Sequence, residues 1–296
     1  MEKVYLSDSG PKVSPAIYGF WRWANESATD IKKMEQTVNL CLSLGINTFD
    51  HADIYGNYLC EETFGKVLKQ QSFKREEIVI FSKCGVILPV AGKDDSATAY
   101  YDTSASHITK SVENSLKNLN TDYLDVFFLD HLDPLSNLEE TAITLDRLRS
   151  SGKIRNVGIA NFSVFQHQLL ASYLKAPVVT NRVELNLLNT TALNNGQVDY
   201  SKQRYMRILA AAPLADGRIE IGSDAQAVKT RKELEIIAAK YDANIESIAV
   251  AWLIKLGALP LIGTLKEQRI RNIVNAFDIN LSQQDWYRLY NTTKQD

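Results

Sequence analysis

Four side chains of different chemical type stand at or just beyond the ends of short apolar runs. Asp50 ends INTFD, Tyr55 follows in HADIYGN, Lys83 ends IVIFSK, and His131 follows in DVFFLDH. A free phenol titrates near about 10 and a free lysine near about 10.4. An ammonium beside the phenol stabilises the phenolate and draws that value down. A carboxylate beside the ammonium keeps it charged and in place. A phenol so placed can hand a proton to a developing alkoxide, as general acid catalysis requires. An imidazole can bond the same oxygen and orient the carbonyl that bears it. The set suits carbonyl reduction, with hydride delivered to carbon from another source and the proton coming from Tyr55. Taken singly, each residue has a plainer reading: a capping aspartate, a solvated lysine, a packing tyrosine and a turn histidine.

The weight of the set depends on the elements that carry it. Apolar runs that look like buried parallel strands cover residues 15–20, 46–50, 78–83, 123–129, 156–160, 178–184, 208–212 and 259–263. Segments of helical period separate them. Ile31, Met34, Val38 and Leu42 share one face, with Thr29 as the expected N-cap and Gly45 beyond the last turn. Ile108, Val112, Leu116 and Leu119 form a second stripe, and Leu138, Ala142, Leu145 and Leu148 a third, ending near Gly152. Leu234, Ile237 and Ala238 open a helix running to about Tyr241, and Ile248, Trp252 and Leu256 belong to the next, before Gly257. Eight strand–helix units predict a closed (β/α)8 TIM barrel. The rival doubly wound sheet usually carries GxGxxG after its first strand, whereas this chain has GFWRWANESATD there. KVYLSDSGPKV alternates around Asp8-Ser9-Gly10 and predicts a short N-terminal β-hairpin ahead of the barrel. With no linker in view, residues 1–296 are expected to form a single domain. In such a barrel the site lies at the C-terminal ends of the strands, where the four side chains fall.

Composition narrows the function classes. Lys plus Arg number 33 and Asp plus Glu 35, a net charge of -2 that argues against nucleic-acid binding. The run from Ile248 to Ile254 is seven residues long and stops at Lys255, too short to span a bilayer. The opening MEKVYLSDSG has no apolar signal core, so a cytoplasmic location is expected. Cys41, Cys60 and Cys84 are odd in number and lack CxxC spacing, as free thiols in a reducing compartment would. His51, His107, His131 and His167 show neither HxH nor HxxxH spacing, so no metal site is expected and a metal-dependent hydrolase lacks its ligands.

GINTFDHADIYG, the run ending in Lys83, LDHLDP, VGIANF and IGTLKEQRIRN together resemble the aldo-keto reductases over nearly the whole chain. The first run, entering Gly19-Phe20-Trp21-Arg22, is most similar to a bacterial branch of that family. The resemblance implies a barrel that binds NADPH in an extended pose and a catalytic tetrad of Asp50, Tyr55, Lys83 and His131. It places the adenosine 2′-phosphate on Gly263, Thr264, Arg269 and Asn272, where a guanidinium can clamp phosphate with two parallel hydrogen bonds. Lys266 can supply the charge of a lysine that the family often carries where Gly263 stands. Around the nicotinamide the chain departs from the family pattern. The usual Ser-Asn-Phe is Ala160-Asn161-Phe162, which removes a hydroxyl and leaves more to Asn161. The usual Asn-Gln is Asn181-Arg182, a cation that can pair with Glu184, bind an acidic substrate or reach a cofactor phosphate, with the ion pair as the most ordinary use. The aromatic that stacks on nicotinamide is replaced within Ala210-Ala211-Ala212-Pro213-Leu214, which brings Leu214 to that place.

The loop over residues 88–104 is long for a strand–helix connection and is expected to wall the substrate site, with Trp21 and Tyr101 as an aromatic rim. The leading expectation is an NADPH-dependent reductase of a small aldehyde or ketone. The alternative, motivated by the altered nicotinamide pocket, is a nucleotide-binding sensor barrel with little turnover.

Overall fold

A computed structural model describes residues 1–70, 73–89 and 98–293. Eight parallel strands close into a barrel in which each pairs with the next in sequence and the last with the first. They are β1 (Ile17–Gly19), β2 (Thr48–Asp50), β3 (Val79–Cys84), β4 (Val126–Asp130), β5 (Val157–Ala160), β6 (Val178–Glu184), β7 (Leu209–Ala211) and β8 (Leu259–Ile262). The strands read as continuous apolar runs because both of their faces are buried. Ile17, Val79, Phe81, Val126, Phe128, Val179, Leu209, Leu259 and Leu261 fill the barrel interior. Their neighbours Ile80, Phe127, Leu129, Val157, Ile159, Val178 and Ile262 belong to the cluster that packs outward against the helices.

That two-residue period decides where polar strand-end residues point. Val79 and Phe81 face inward, so Lys83 does too. Val126 and Phe128 face inward, so Asp130 does too. The expected hairpin is present: strands Val4–Tyr5 and Lys12–Val13 pair antiparallel. Its Leu6 and Val13 join the interior cluster and floor the barrel.

Helices α1 (Ile31–Ser43), α2 (Cys60–Gln70), α3 (Ala105–Leu119), α4 (Leu138–Ser150) and α5 (Val164–Tyr173) cover the first five crossovers. They are followed by α6 (Gln197–Gln203), α7 (Ala225–Lys240), α8 (Ile245–Leu256), α9 (Glu267–Asn275) and α10 (Gln283–Thr292). Two helix starts differ from the sequence expectation. Asp30, not Thr29, caps α1, accepting from the Lys33 amide at 2.9 Å. The Thr29 hydroxyl instead donates to the Glu26 carbonyl and closes a preceding 3-10 turn. Helix α7 starts at Ala225 rather than Leu234, capped by Asp224. Its first turns bury only Ala227 and Thr230, residues too small to register as an apolar stripe.

Helices α2 and α3 approach closely at Gly65, where an added Cβ would lie 2.0 Å from the Asn118 carbonyl oxygen. Backbone cannot swing aside as a flexible side chain can. Gly65→Ala should therefore cost about 1–3 kcal/mol in urea-induced unfolding. An unchanged midpoint would show that the two helices have room to part.

Candidate active site

The rim begins with a buried ion pair. Lys83 Nζ donates to Asp50 Oδ1 at 2.7 Å and to the His51 carbonyl at 2.6 Å. Lys83 is 1% exposed and Asp50 fully buried. Burial alone would lower the Lys83 pKa, but the Asp50 carboxylate and the Tyr55 phenol outweigh it, and the net shift is upward. Tyr55 follows β2 in a tight turn. Its ring centroid is 4.8 Å from Lys83 Nζ, and its hydroxyl donates to Asp50 Oδ2 at 3.5 Å. Lys83 draws the phenol down as expected, but the net shift is upward rather than the expected fall. Burial pushes Tyr55 up; Lys83 and Arg182 pull it down, and burial prevails. The phenol is thus held protonated, the form a proton donor needs.

His131 enters from the neighbouring strand end. Its backbone adopts φ 65°, and its amide donates to the Ala160 carbonyl at 2.9 Å. Nδ1 lies 2.9 Å from Asp130 Oδ1, but off the line a hydrogen bond needs. The Asp130 carboxylate also accepts from Asn161 Nδ2 at 2.8 Å. Burial alone would raise the Asp130 pKa, yet His131, Arg182 and Lys83 hold it below the ordinary range. Tyr101 stacks on the His131 ring at 4.9 Å and 15°. The flanks of the expected substrate wall, Val86–Ile87 and Tyr100–Tyr101, pair antiparallel. Its residues 90–97 lie outside the described residues.

Around the expected nicotinamide position, Ala160 is buried and stands in register between Asp130 and Arg182. Asn181 donates to the Phe162 carbonyl at 3.0 Å, and its Oδ1 is buried without a partner. The expected Arg182–Glu184 pair does not form. Glu184 is exposed at the end of β6 and accepts from Asn186. Arg182 takes the inward parity, and its Nε is buried with no acceptor.

Beside the mouth runs a cleft of about 320 Å³ lined by Trp21, Leu214, Gly263, Thr264, Lys266 and Arg269 among others. The Trp21 indole lies flat against the chain at Gly263, where an added Cβ would stand 2.7 Å from the ring. Trp21 thus belongs to this cleft, while Tyr101 belongs to His131. The Arg22–Asp216 ion pair at 2.6 Å ties the end of β1 to the segment after β7. Arg269 Nε donates to Glu246 Oε1 at 2.5 Å, and its Nη2 pairs with Glu220. Asn272 donates to the other oxygen of Glu246 at 2.6 Å. A cleft beside the start of α9 that carries Lys266 and Arg269, with no side chain at Gly263, fits a dinucleotide phosphate. The unpartnered Asn181 Oδ1 fits the amide at its other end.

The aldo/keto reductase family model matches residues 15–292. The chain belongs to the aldo/keto reductase family. The 6-dehydroglucose reductase of Agrobacterium fabrum is 34% identical over 98% of this chain and 97% of its own length. The oxidoreductase YdhF of Escherichia coli is 35% identical over 98% and 96%. The glycerol dehydrogenase of Gluconobacter oxydans shares the fold with a TM-score of 0.85 at 22% identity, over 98% of this chain and 94% of that one. This aldo/keto reductase is accordingly an oxidoreductase of the nicotinamide-dependent kind, acting on a small molecule. Among the described residues no group of three or more His, Cys, Asp or Glu could hold a metal ion, and no helix is long and apolar enough to cross a membrane.

Three polar residues of this aldo/keto reductase escape the sequence reading. His51 is buried between the rings of Phe20 and Phe64, each 4.4 Å away, and burial drives its pKa well below the ordinary value. Glu61 accepts from Ser82 Oγ at 2.6 Å behind Lys83, its carboxyl raised by burial. Its place beside Cys60 on the face of Phe64 and Val67 was the available sign. Asp53 accepts from Ser111 Oγ at 2.8 Å, and burial pushes it up to about 7 from 3.8. A carboxyl raised on folding is penalised once ionised, so the penalty grows as pH climbs from the unfolded value to the folded one. Asp53→Asn should stabilise the fold by roughly 2 kcal/mol or more near about pH 8 and change it little near about pH 4. Equal effects in urea denaturation at both values would show that Asp53 is not raised.

Proposed function

We propose that this chain is a single-domain, NADPH-dependent reductase that converts an aldehyde or ketone to an alcohol, with Tyr55 as the proton donor. The observation that carries the reading is the buried Lys83–Asp50 pair with the Tyr55 ring against its ammonium. When bound, the reduced nicotinamide supplies the hydride. Asn161, Asn181 and Arg182 face its amide from β5 and β6, beside Ala160. Leu214 packs where an aromatic is usual, which costs on the order of 1 kcal/mol of stacking and leaves binding intact. Trp21, Gly263, Thr264, Lys266, Arg269 and Asn272 hold the phosphate-bearing end.

The chain's own chemistry concerns the substrate oxygen. Tyr55 and His131 donate hydrogen bonds to it and so fix the face of the carbonyl that is reduced. As the carbonyl π bond opens, negative charge gathers on that oxygen and the Tyr55 proton moves to it. The phenolate left behind sits against Lys83, whose ammonium is already in place and needs no reorganisation. Asp50 holds Lys83 charged throughout. An intact proton donor of this kind gives no support to a sensor barrel with little turnover.

Tyr55→Phe should lower kcat by about a hundredfold or more, the usual size of a lost general acid, with circular dichroism and melting temperature unchanged. Undiminished turnover would overturn the assignment. The cofactor preference has its own test. Arg269 is the guanidinium nearest the expected 2′-phosphate, while half-exposed Glu220 competes for it. Arg269→Ala should weaken NADPH binding by about tenfold more than NADH binding, and Glu220→Gln should tighten NADPH. Equal weakening of both dinucleotides in fluorescence titration would show that Arg269 does not read the 2′-phosphate.

A further inference from the structure

We propose that Arg182 is a second cation of the proton-transfer site, facing the Tyr55 hydroxyl from across the barrel and holding, together with Lys83, the negative charge that the phenol acquires on giving up its proton. The inference rests on Tyr55 as the proton donor.

The strand order carries the placement. Strand β6 stands four places round the barrel from β2, which leads into Tyr55. Arg182 is in register with Ala160 on β5 and Leu209 on β7, and Ala160 with Asp130 on β4. Leu209 lies in the barrel interior, so the Arg182 side chain enters the same space at the level of the mouth. Ala160 ends at its Cβ, which leaves the guanidinium room that a larger neighbour would fill. Arg182 forms no ion pair among the described residues, and its buried Nε has no acceptor. Its charge is therefore free to act on what it faces.

The charged and titratable groups facing the phenol are Lys83 from β3, Asp50 from β2, Arg182 from β6 and Asp130 from β4, with His131 against Asp130. Two cations and two carboxylates act on one hydroxyl. Burial on its own would lower the Arg182 pKa, but Tyr55, Asp50 and Asp130 outweigh it, so the guanidinium stays charged. Arg182 in turn pulls the phenol down, in the same sense as Lys83. A neutral amide at this position would donate a hydrogen bond but bring no charge.

The test reads alcohol oxidation with NADP, in which Tyr55 must first lose its proton and then accepts the one on the alcohol oxygen. The rate rises with pH as the phenolate forms. Arg182→Gln should move that rise upward by about one pH unit, whereas Arg182→Lys should leave it near the parent profile. Arg182→Met also removes the charge and should move it upward, which keeps the proposal testable if Arg182→Gln does not fold. A profile unmoved in Arg182→Gln, with only the KM for NADP raised, would make Arg182 a cofactor anchor and overturn the inference while leaving Tyr55 as donor. An unmoved rise in Arg182→Met would overturn the inference equally. A Tyr55→Phe variant that keeps its pH-dependent turnover would instead overturn the reading beneath it.

Discussion

An ammonium and a carboxylate buried side by side each forgo the hydration they would have in water, and their mutual attraction repays that only with good geometry and further hydrogen bonds. Lys83 and Asp50 meet both conditions: a 2.7 Å contact and a second bond to the His51 carbonyl. The barrel makes this arrangement possible. Adjacent parallel strands put the ends of β2 and β3 side by side, and the two-residue period aims Lys83 inward. Remove either partner and an unpaired buried charge remains, typically a loss of about 3–5 kcal/mol. The rest of the mouth is organised round that pair. Tyr55 lies against the ammonium, His51 lends its carbonyl while its ring stays neutral between Phe20 and Phe64, and Glu61 sits behind.

Much of this was legible because both faces of a barrel strand are buried. Such strands appear as short unbroken apolar runs, and a polar residue at the end of one is conspicuous. That is why Asp50, Lys83 and His131 stand out from sequence. What was not legible depends on facing and depth. Arg182 and Glu184 share one face of β6, but Glu184 is exposed at the strand end, so sequence alone did not reveal that only Arg182 lies within the mouth. The direction of the Tyr55 shift required knowing that burial outweighs its neighbouring cations. Asp53 and Glu61 are held by Ser111 and Ser82, tertiary partners that sequence does not place beside them. The start of α7 was silent because small residues bury without making a stripe.

The cleft beside the mouth follows a different logic. Its guanidinium, Arg269, is held by Glu246 and Glu220 rather than left free. Glu246 is largely buried and also accepts from Asn272, so it fixes the position of both donors. Glu220 belongs to the segment after β7, which Asp216 also fastens to Arg22. The same segment therefore carries two acidic side chains to two different cations along one wall.

The hairpin beneath the barrel gives the molecule a direction. With the barrel interior filled by side chains and Leu6 and Val13 covering its lower end, the architecture is a cup and not a tube. Everything that enters must depart past the same lip, so spent dinucleotide and finished alcohol share a single doorway. Changes to the loops at that lip can retune what is admitted while the sealed base goes on holding the vessel together.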